Sequence, residues 1–228
     1  MDFTNKNLAV LFKIGDTTVY FDETLRTTWI VMGILVLFAI FVRLKLSGFK
    51  SIPSGFQNVI ESLVEVMSNF VKSTMGADAE VFGGIFFSIF AFILCCNYSG
   101  LLGLRPPTAD LATTGALALL IFFMIHFFGF RKQKKKHIKS FFEPYPIFFP
   151  INLVGELSKP ISLGFRLFGN ILGGVIILGL VYEMFPLVMR FVLPNILHAY
   201  FDVFAGALQS FIFTILSMTF IQQKMAAE

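Results

Sequence analysis

Residues 81–104 and 111–130 contain no Asp, Glu, Lys or Arg, and each run is almost wholly apolar. Each has about the 20 residues that a helix needs to cross the hydrocarbon core of a bilayer. Composition agrees: hydrophobic residues make up 56% of the chain and charged residues only 14%, where a soluble domain carries about a quarter. The chain therefore reads as a polytopic integral membrane protein. Its net charge of +4 is not a nucleic-acid signal, because the basic residues gather beside the ends of the apolar runs, where they orient membrane helices. The adjacent Cys95 and Cys96 lie within an apolar run and suit packing or lipid contact better than an easy structural bridge. The start Met1-Asp-Phe-Thr-Asn-Lys6 lacks the basic end and following apolar core of a cleavable signal.

The sequence divides into one membrane domain, 1–228, with an external N-terminal segment at 1–26. A first crossing at 27–42 is bounded by Arg26 and by Arg43, Lys45 and Lys50, with Trp29 at an interface position. Residues 53–74 are too polar to span. Phe56, Val59, Ile60, Leu63, Val64, Met67, Phe70 and Val71 fall on one helical face, with Gln57, Glu61, Glu65, Ser68 and Lys72 opposite. This amphipathic helix should lie along the membrane surface or against other spans. After the crossings at 81–104 and 111–130 comes a basic and proline-punctuated loop, 131–150, then long helices at 151–185 and 195–223 joined through 186–194. The expected fold is all-α, with about five transmembrane helices, an amphipathic helix and a long, tilted C-terminal helical hairpin. The basic loops at 43–50 and 131–139, with Lys224, place the N-terminus outside and the C-terminus in the cytoplasm. No internal repeat is evident, which weighs against inverted-repeat transporters.

Within this apolar frame Arg166 is the only charge between Ile161 and Val181. An arginine near the bilayer centre costs from about 2.5 to well over 10 kcal/mol, so it persists only if solvated, paired or used. Snorkelling would require it to reach a surface roughly 12 Å away along the axis. Arg166 and Asn170 are four residues apart on one helical face, with Ser162, Gly169 and Gly173 close to the same stripe, and small residues let a neighbouring helix approach. On the last helix His198, Asp202, Ala205 and Gln209 recur at spacings of four, three and four. In an antiparallel hairpin turning near Arg190, Gln209 comes to the depth of Arg166, with Asp202 and His198 toward the outside. Glu156 and Lys159 fall on the cytoplasmic side.

The segment from Ser158 to Asn170, SKPISLGFRLFGN, resembles the signature of subunit a of the rotary F-type ATP synthase around its essential arginine. Residues 208–213, LQSFIF, resemble the glutamine-containing core of that family's last helix. Residues 97–104 and 106–119 are similar to the loop and helix that precede the hairpin in bacterial members. Two positions depart from the pattern: Val175 stands where some members carry an ionisable group, and Asp202 where others carry glutamate or histidine.

The resemblance implies a stator subunit of the membrane sector, working against a ring of c subunits whose carboxylate meets Arg166. It implies peripheral-stalk b subunits as further partners, indirect contact with the catalytic head, and a bacterial plasma membrane location. Asp202, His198, Asn170 and Asn97 would line an outer half-channel, with Asp110 near its mouth, and Glu156 an inner one, while Gln209 accompanies Arg166. Plainer roles stand beside these: Asn97 satisfying a nearby backbone, Asp110 capping a helix, His198 as packing, and Lys159 pairing with Glu156. No P-loop is present, and neither cofactor nor metal is expected, so the chain is not an enzyme by itself. Two other functional classes fit the sequence: a stand-alone ion channel or transporter with Arg166 as an anion site, and a structural scaffold.

Overall fold

A computed structural model of the chain describes residues 7–14, 17–50 and 52–226. The first six residues, on which the signal-peptide reading rests, lie outside the described residues. Within the N-terminal segment β1 (Asn7–Ile14) and β2 (Thr17–Asp22) form an antiparallel hairpin in which Ile14 faces Thr17. Asp22 ends the hairpin and caps the next helix, its Oδ1 accepting a hydrogen bond from the Leu25 amide at 2.7 Å. That cap lets α1 (Glu23–Lys45) begin four residues ahead of Thr27. An acidic first turn at Glu23 and a basic last turn at Arg43 and Lys45 complement the helix dipole.

α1 is almost entirely exposed, with Trp29, Ile34, Leu37 and Leu44 on its surface. It buries side chains only near its start, at Thr24, Thr27 and Val31, and toward its end Phe41 meets Phe56 edge-on at 5.7 Å. In a bilayer these exposed side chains have lipid for solvent. α2 (Phe56–Met75) carries the apolar stripe read from the sequence, but the two halves of the helix use it differently. Phe56, Val59, Leu63 and Val64 stay exposed, whereas Met67, Val71 and Met75 are buried and Phe70 stacks on Phe211 at 5.2 Å.

The core is made by α3 (Gly83–Tyr98), α4 (Leu111–Gln133), α6 (Phe149–Met184) and α8 (Gly206–Ala226). Phe86, Ile93, Ile121, Ile125, Leu167, Phe213, Met218 and Ile221 are its most buried apolar side chains. Gly164 permits the close approach of α6 to α4: a Cβ there would lie 3.2 Å from Ala118 Cβ and 3.4 Å from the Thr114 carbonyl oxygen. α6 has 36 residues, about 54 Å at 1.5 Å per residue, against a hydrocarbon core of about 30 Å. It must therefore tilt or extend beyond the core.

Among the described residues five helices are long and apolar enough to cross a membrane, and the architecture is the all-helical, polytopic one expected, with the long C-terminal hairpin. Two segments read as connections are largely helical. In 131–150, α4 runs on to Gln133, Lys134 breaks it with a φ of 52°, and α5 (Lys135–Lys139) folds back beneath it. His137 then fits under Gly129, where a Cβ would come within 2.7 Å of the imidazole. The hairpin turn shrinks to Phe185 and Pro186, because α7 (Leu187–His198) starts directly after Pro186 and absorbs Pro194. A proline costs a helix one hydrogen bond without ending it when neighbouring helices hold it in place. A π-helical segment, Ala199–Ala205, continues α7 into α8.

Gly164→Val should disrupt this packing. Overfilling a close contact costs about 1–3 kcal/mol, so the assembled protein in membranes, measured by immunoblot and gel migration, should fall. Gly33→Val should leave the level unchanged, because nothing lies within 4 Å of a Cβ at Gly33.

Candidate functional site

Four contacts set the register of α6 against the last helix. Glu156 pairs with Lys224, Lys159 lies over the Phe220 ring, Gly174 abuts Phe201, and Tyr182 bonds His198. As the number rises on one helix it falls on the other, as an antiparallel pair requires. Arg166 lies between the second and third contacts and so falls opposite the 209–213 turn of α8. Gln209, buried at 7% exposure, is at the depth of Arg166.

Arg166 itself is exposed, and so are Ile161, Ser162, Phe165, Gly169 and Asn170. They form one stripe on the outside of the bundle, midway along α6. The opposite face of the same helix, with Leu163, Leu167 and Ile171, is buried in the core. No side-chain hydrogen bond or ion pair joins Arg166 to any other described residue, and Asn170 does not join the Asp202 group. Arg166 and Asn170 thus stand together on a free face, whereas Gln209 points into the bundle.

One end of the hairpin holds a connected polar group. Tyr182 Oη lies 3.1 Å from His198 Nε2, and His198 Nδ1 lies 2.5 Å from Asp202 Oδ2. Asp202 sits within the π-helix, 8% exposed, with its carboxyl against Gly100, where a Cβ would be 3.3 Å from Oδ2. Wide turns of this type often occur at functional sites, because the extra residue re-aims a side chain. Asn97, at the end of α3, is fully committed. Its Nδ2 donates to the Gly206 carbonyl at 2.8 Å and to Ser210 Oγ at 3.2 Å, while its Oδ1 accepts from Thr108 Oγ1 at 2.6 Å. It fixes the chain where the π-helix meets α8. Asp110 caps α4 through the Ala112 amide at 2.9 Å, and with Asp22, Thr24 and Thr28 it lines a cleft of about 530 Å³ between α1, α3 and α4.

The other end holds the second group. Glu156 Oε1 receives Lys159 Nζ and Lys224 Nζ, each at 2.9 Å, and Lys224 brings the end of α8 into the cluster. An open pocket of about 350 Å³ lined by Asn152, Glu156, Lys159 and Lys224 leads to it. Nearby, His126 Nδ1 and His137 Nε2 are 3.2 Å apart. Burial pushes the His137 pKa down, Lys224 and His126 push the same way, and Glu156 opposes them. The sequence reading placed Glu156, Lys159, His198 and Asp202 in their clusters but missed Tyr182, the second partner of Glu156 and the histidine pair. These depend on contacts between residues far apart in the chain, which helical spacing does not report.

Five helices long and apolar enough to cross a membrane, with Arg166 exposed on one of them and polar groups toward both ends of that helix, define a multi-pass membrane protein. The chain belongs to the ATP synthase subunit a family: the family model described as ATP synthase A chain matches residues 25–222. ATP synthase subunit a of Moorella thermoacetica is 36% identical over 213 residues, covering 92% of this chain and 93% of that one. ATP synthase subunit a 2 of a Bradyrhizobium is 33% identical, covering 93% and 92%. A protein of Propionigenium modestum named ATP synthase subunit a, sodium ion specific, is 34% identical, covering 87% and 72%. The chain is accordingly a non-catalytic membrane subunit of the Fo sector and associates with other Fo subunits such as c and b.

The Asp202 site gives a test of chemistry against packing. If Asp202 carries ions, Asp202→Asn should slow passive ion conduction through the membrane sector roughly a hundredfold, because an amide does not take up and release a proton at relevant pH. Asp202→Glu should retain much of the flow. Asn outperforming Glu would leave Asp202 only a packing role.

Proposed function

We propose that this chain is the stator that couples ion flow to rotation of a c-ring, with Arg166 as its fixed charge. The exposure of Arg166 without a side-chain partner among the described residues, midway along a helix long and apolar enough to cross the membrane, supports this most directly. Such a charge is stable in hydrocarbon only against an opposite one. A ring carboxyl must be neutral while it faces lipid, because burying its charge is prohibitive. Beside Arg166 the ionised form becomes favourable: opposite charges about 4 Å apart gain about 4 kcal/mol at an effective dielectric near 20, or about three pKa units. Arginine suits the position because it stays charged, whereas a buried lysine readily loses its proton.

Ions reach and leave that carboxyl by two half-channels that do not meet. The Tyr182, His198 and Asp202 group belongs to the outer one, with Asn170 at the ring face and Asn97 holding the wall. Asp110 lies toward its mouth. Glu156 and the pocket beside it belong to the inner one, about 15 Å from Arg166 along α6. Because Arg166 lies between the two groups, its charge opposes direct passage of a cation, and an ion crosses only by riding the ring. The β-hairpin lies outside, the C-terminus and the 131–139 segment in the cytoplasm of a bacterial plasma membrane. Peripheral-stalk b subunits hold the chain against the torque, and the catalytic head receives it indirectly through the ring.

Arg166→Ala should abolish ion-driven ATP synthesis in membrane vesicles while the protein stays inserted, and Arg166→Lys should be nearly as damaging. Normal synthesis by Arg166→Ala would sink the stator reading. Cysteines at Lys136 and Leu8 should be labelled only from the cytoplasmic side and only from the outside, respectively. Labelling of both from one side would overturn the proposed topology.

A further inference from the structure

We infer that the cleft between α1, α3 and α4 binds a membrane lipid with a primary-amine headgroup, its ammonium seated among Asp22, Thr24 and Asp110 and its acyl chain lying along the apolar walls. The cleft, of about 530 Å³, falls in the size range of small-molecule sites. Its lining changes character along its length. α1 meets the 107–109 turn that precedes α4, so both helices begin at one end of the cleft and place Asp22, Thr24 and Asp110 there. Phe92 of α3 and Leu117 and Leu120 of α4 line the rest. From Asp110 to Leu120 α4 rises about 15 Å. The polar end is also the end at which α1 and α4 enter the membrane, so the cleft offers polar groups at the boundary and apolar walls in the hydrocarbon. That is the profile of a lipid lying along the bundle.

Thr24 marks the polar end as a ligand position. The residue is 4% exposed, and its buried hydroxyl oxygen has no hydrogen-bond partner among the described residues. The cause is local. Thr27 and Thr28 donate to the carbonyls of Glu23 and Thr24, four residues back on the same helix. Thr24 stands in the first turn, where no helical carbonyl lies four residues behind it. Buried polar groups in native proteins are almost always bonded, so an orphan hydroxyl lining a cleft points to a partner from outside the chain. Asp22 and Asp110 flank it, each spending one oxygen on a helix cap, to the Leu25 and Ala112 amides. A carboxylate has about four acceptor sites, so the caps hold both groups in place and leave further acceptor capacity. A primary ammonium brings three N–H donors and no acceptor, one donor for each of the three side chains. A trimethylammonium head of the same charge has no N–H to give. Hydrogen bonding therefore selects an ethanolamine headgroup over choline where charge alone would not.

The site goes beyond the stator reading and needs only the fold and its insertion in a bilayer. The test uses the whole ATP synthase in vesicles containing a trace of phosphatidylethanolamine with a photoreactive diazirine in its acyl chain, or of the phosphatidylcholine counterpart. After illumination, peptide mass spectrometry should find the amine probe attached near Phe92 and Leu117 at roughly five to ten times the yield of the choline probe. Labelling near Ile34 and Leu37, on the exposed face of α1, reports bulk lipid and should be equal for both probes. Thr24→Val keeps the shape and removes the hydroxyl; Asp22→Asn keeps the cap and removes the charge. The double variant should lose most of the labelling in the cleft and none of the labelling near Ile34. Equal labelling of the cleft by the two probes overturns the site, and so does wild-type labelling in the double variant. Labelling of the cleft by neither probe also overturns it, because another subunit then covers the cleft. Arg166→Ala should be labelled as the wild type is, and its rate of synthesis tests the stator reading separately.

Discussion

A guanidinium exposed midway along a helix long and apolar enough to cross a membrane, with no side-chain partner among the described residues, is the constraint on which the account depends. Arg166 is exposed midway along α6, where an isolated charge costs several kcal/mol at least. The fold does not relieve this cost internally. The core side of α6 is filled by Leu163, Leu167 and Ile171, and Gly164 draws that side against α4. Turning the helix to bury Arg166 would expose those side chains and drive the charge into Ala118 and Thr114. Packing on one face therefore fixes the charge on the other, where under the proposed function a partner from outside the chain meets it.

The two polar groups are kept apart by the same packing. Between the Asp202 group and the Glu156 group the buried middle of the bundle holds no charged side chain: Leu167, Ile171 and Phe213 fill it around Gln209, and the hydroxyls of Ser210, Thr214 and Ser217 are bonded to carbonyls of their own helix. Each group is internally satisfied. Asp202 has His198, Glu156 has two lysines, and Asn97 uses its amide to tie α3 to the start of α8 and to Thr108 in the turn before α4. A buried polar group with its partners in place is stable where an unpaired one is not, which is how a membrane bundle carries ionisable side chains without a continuous aqueous pore.

Much of this was legible in the chain. Apolar runs of spanning length with basic residues at their ends state the fold class, because transfer energies in lipid are large enough to leave little choice. The 3.6-residue period put Arg166 with Asn170 and His198 with Asp202. What spacing does not carry is register between helices. Tyr182 meets His198, and Lys224 meets Glu156, only because the hairpin aligns antiparallel with a turn at Phe185 and Pro186. Nor does periodicity reveal a π-helical segment at Ala199–Ala205, where the hydrogen-bond pattern changes within an unbroken helix. The β-hairpin does carry a local signal: Leu8, Val10 and Phe12 alternate, Val19 and Phe21 alternate, and the strands are separated by Gly15 and Asp16 alone.

The central claim is that the Arg166 stripe of α6 faces the ring carboxylates. Cross-linking in the assembled complex, with Cys95 and Cys96 replaced by serine, tests it most directly. A cysteine at Ser162 or Gly169, on the exposed stripe, should form a disulfide with a cysteine placed one turn from the carboxylate of the c subunit, and a cysteine at Leu167, on the buried face, should not. Cross-linking at Leu167 with none at Ser162 or Gly169 would contradict the account.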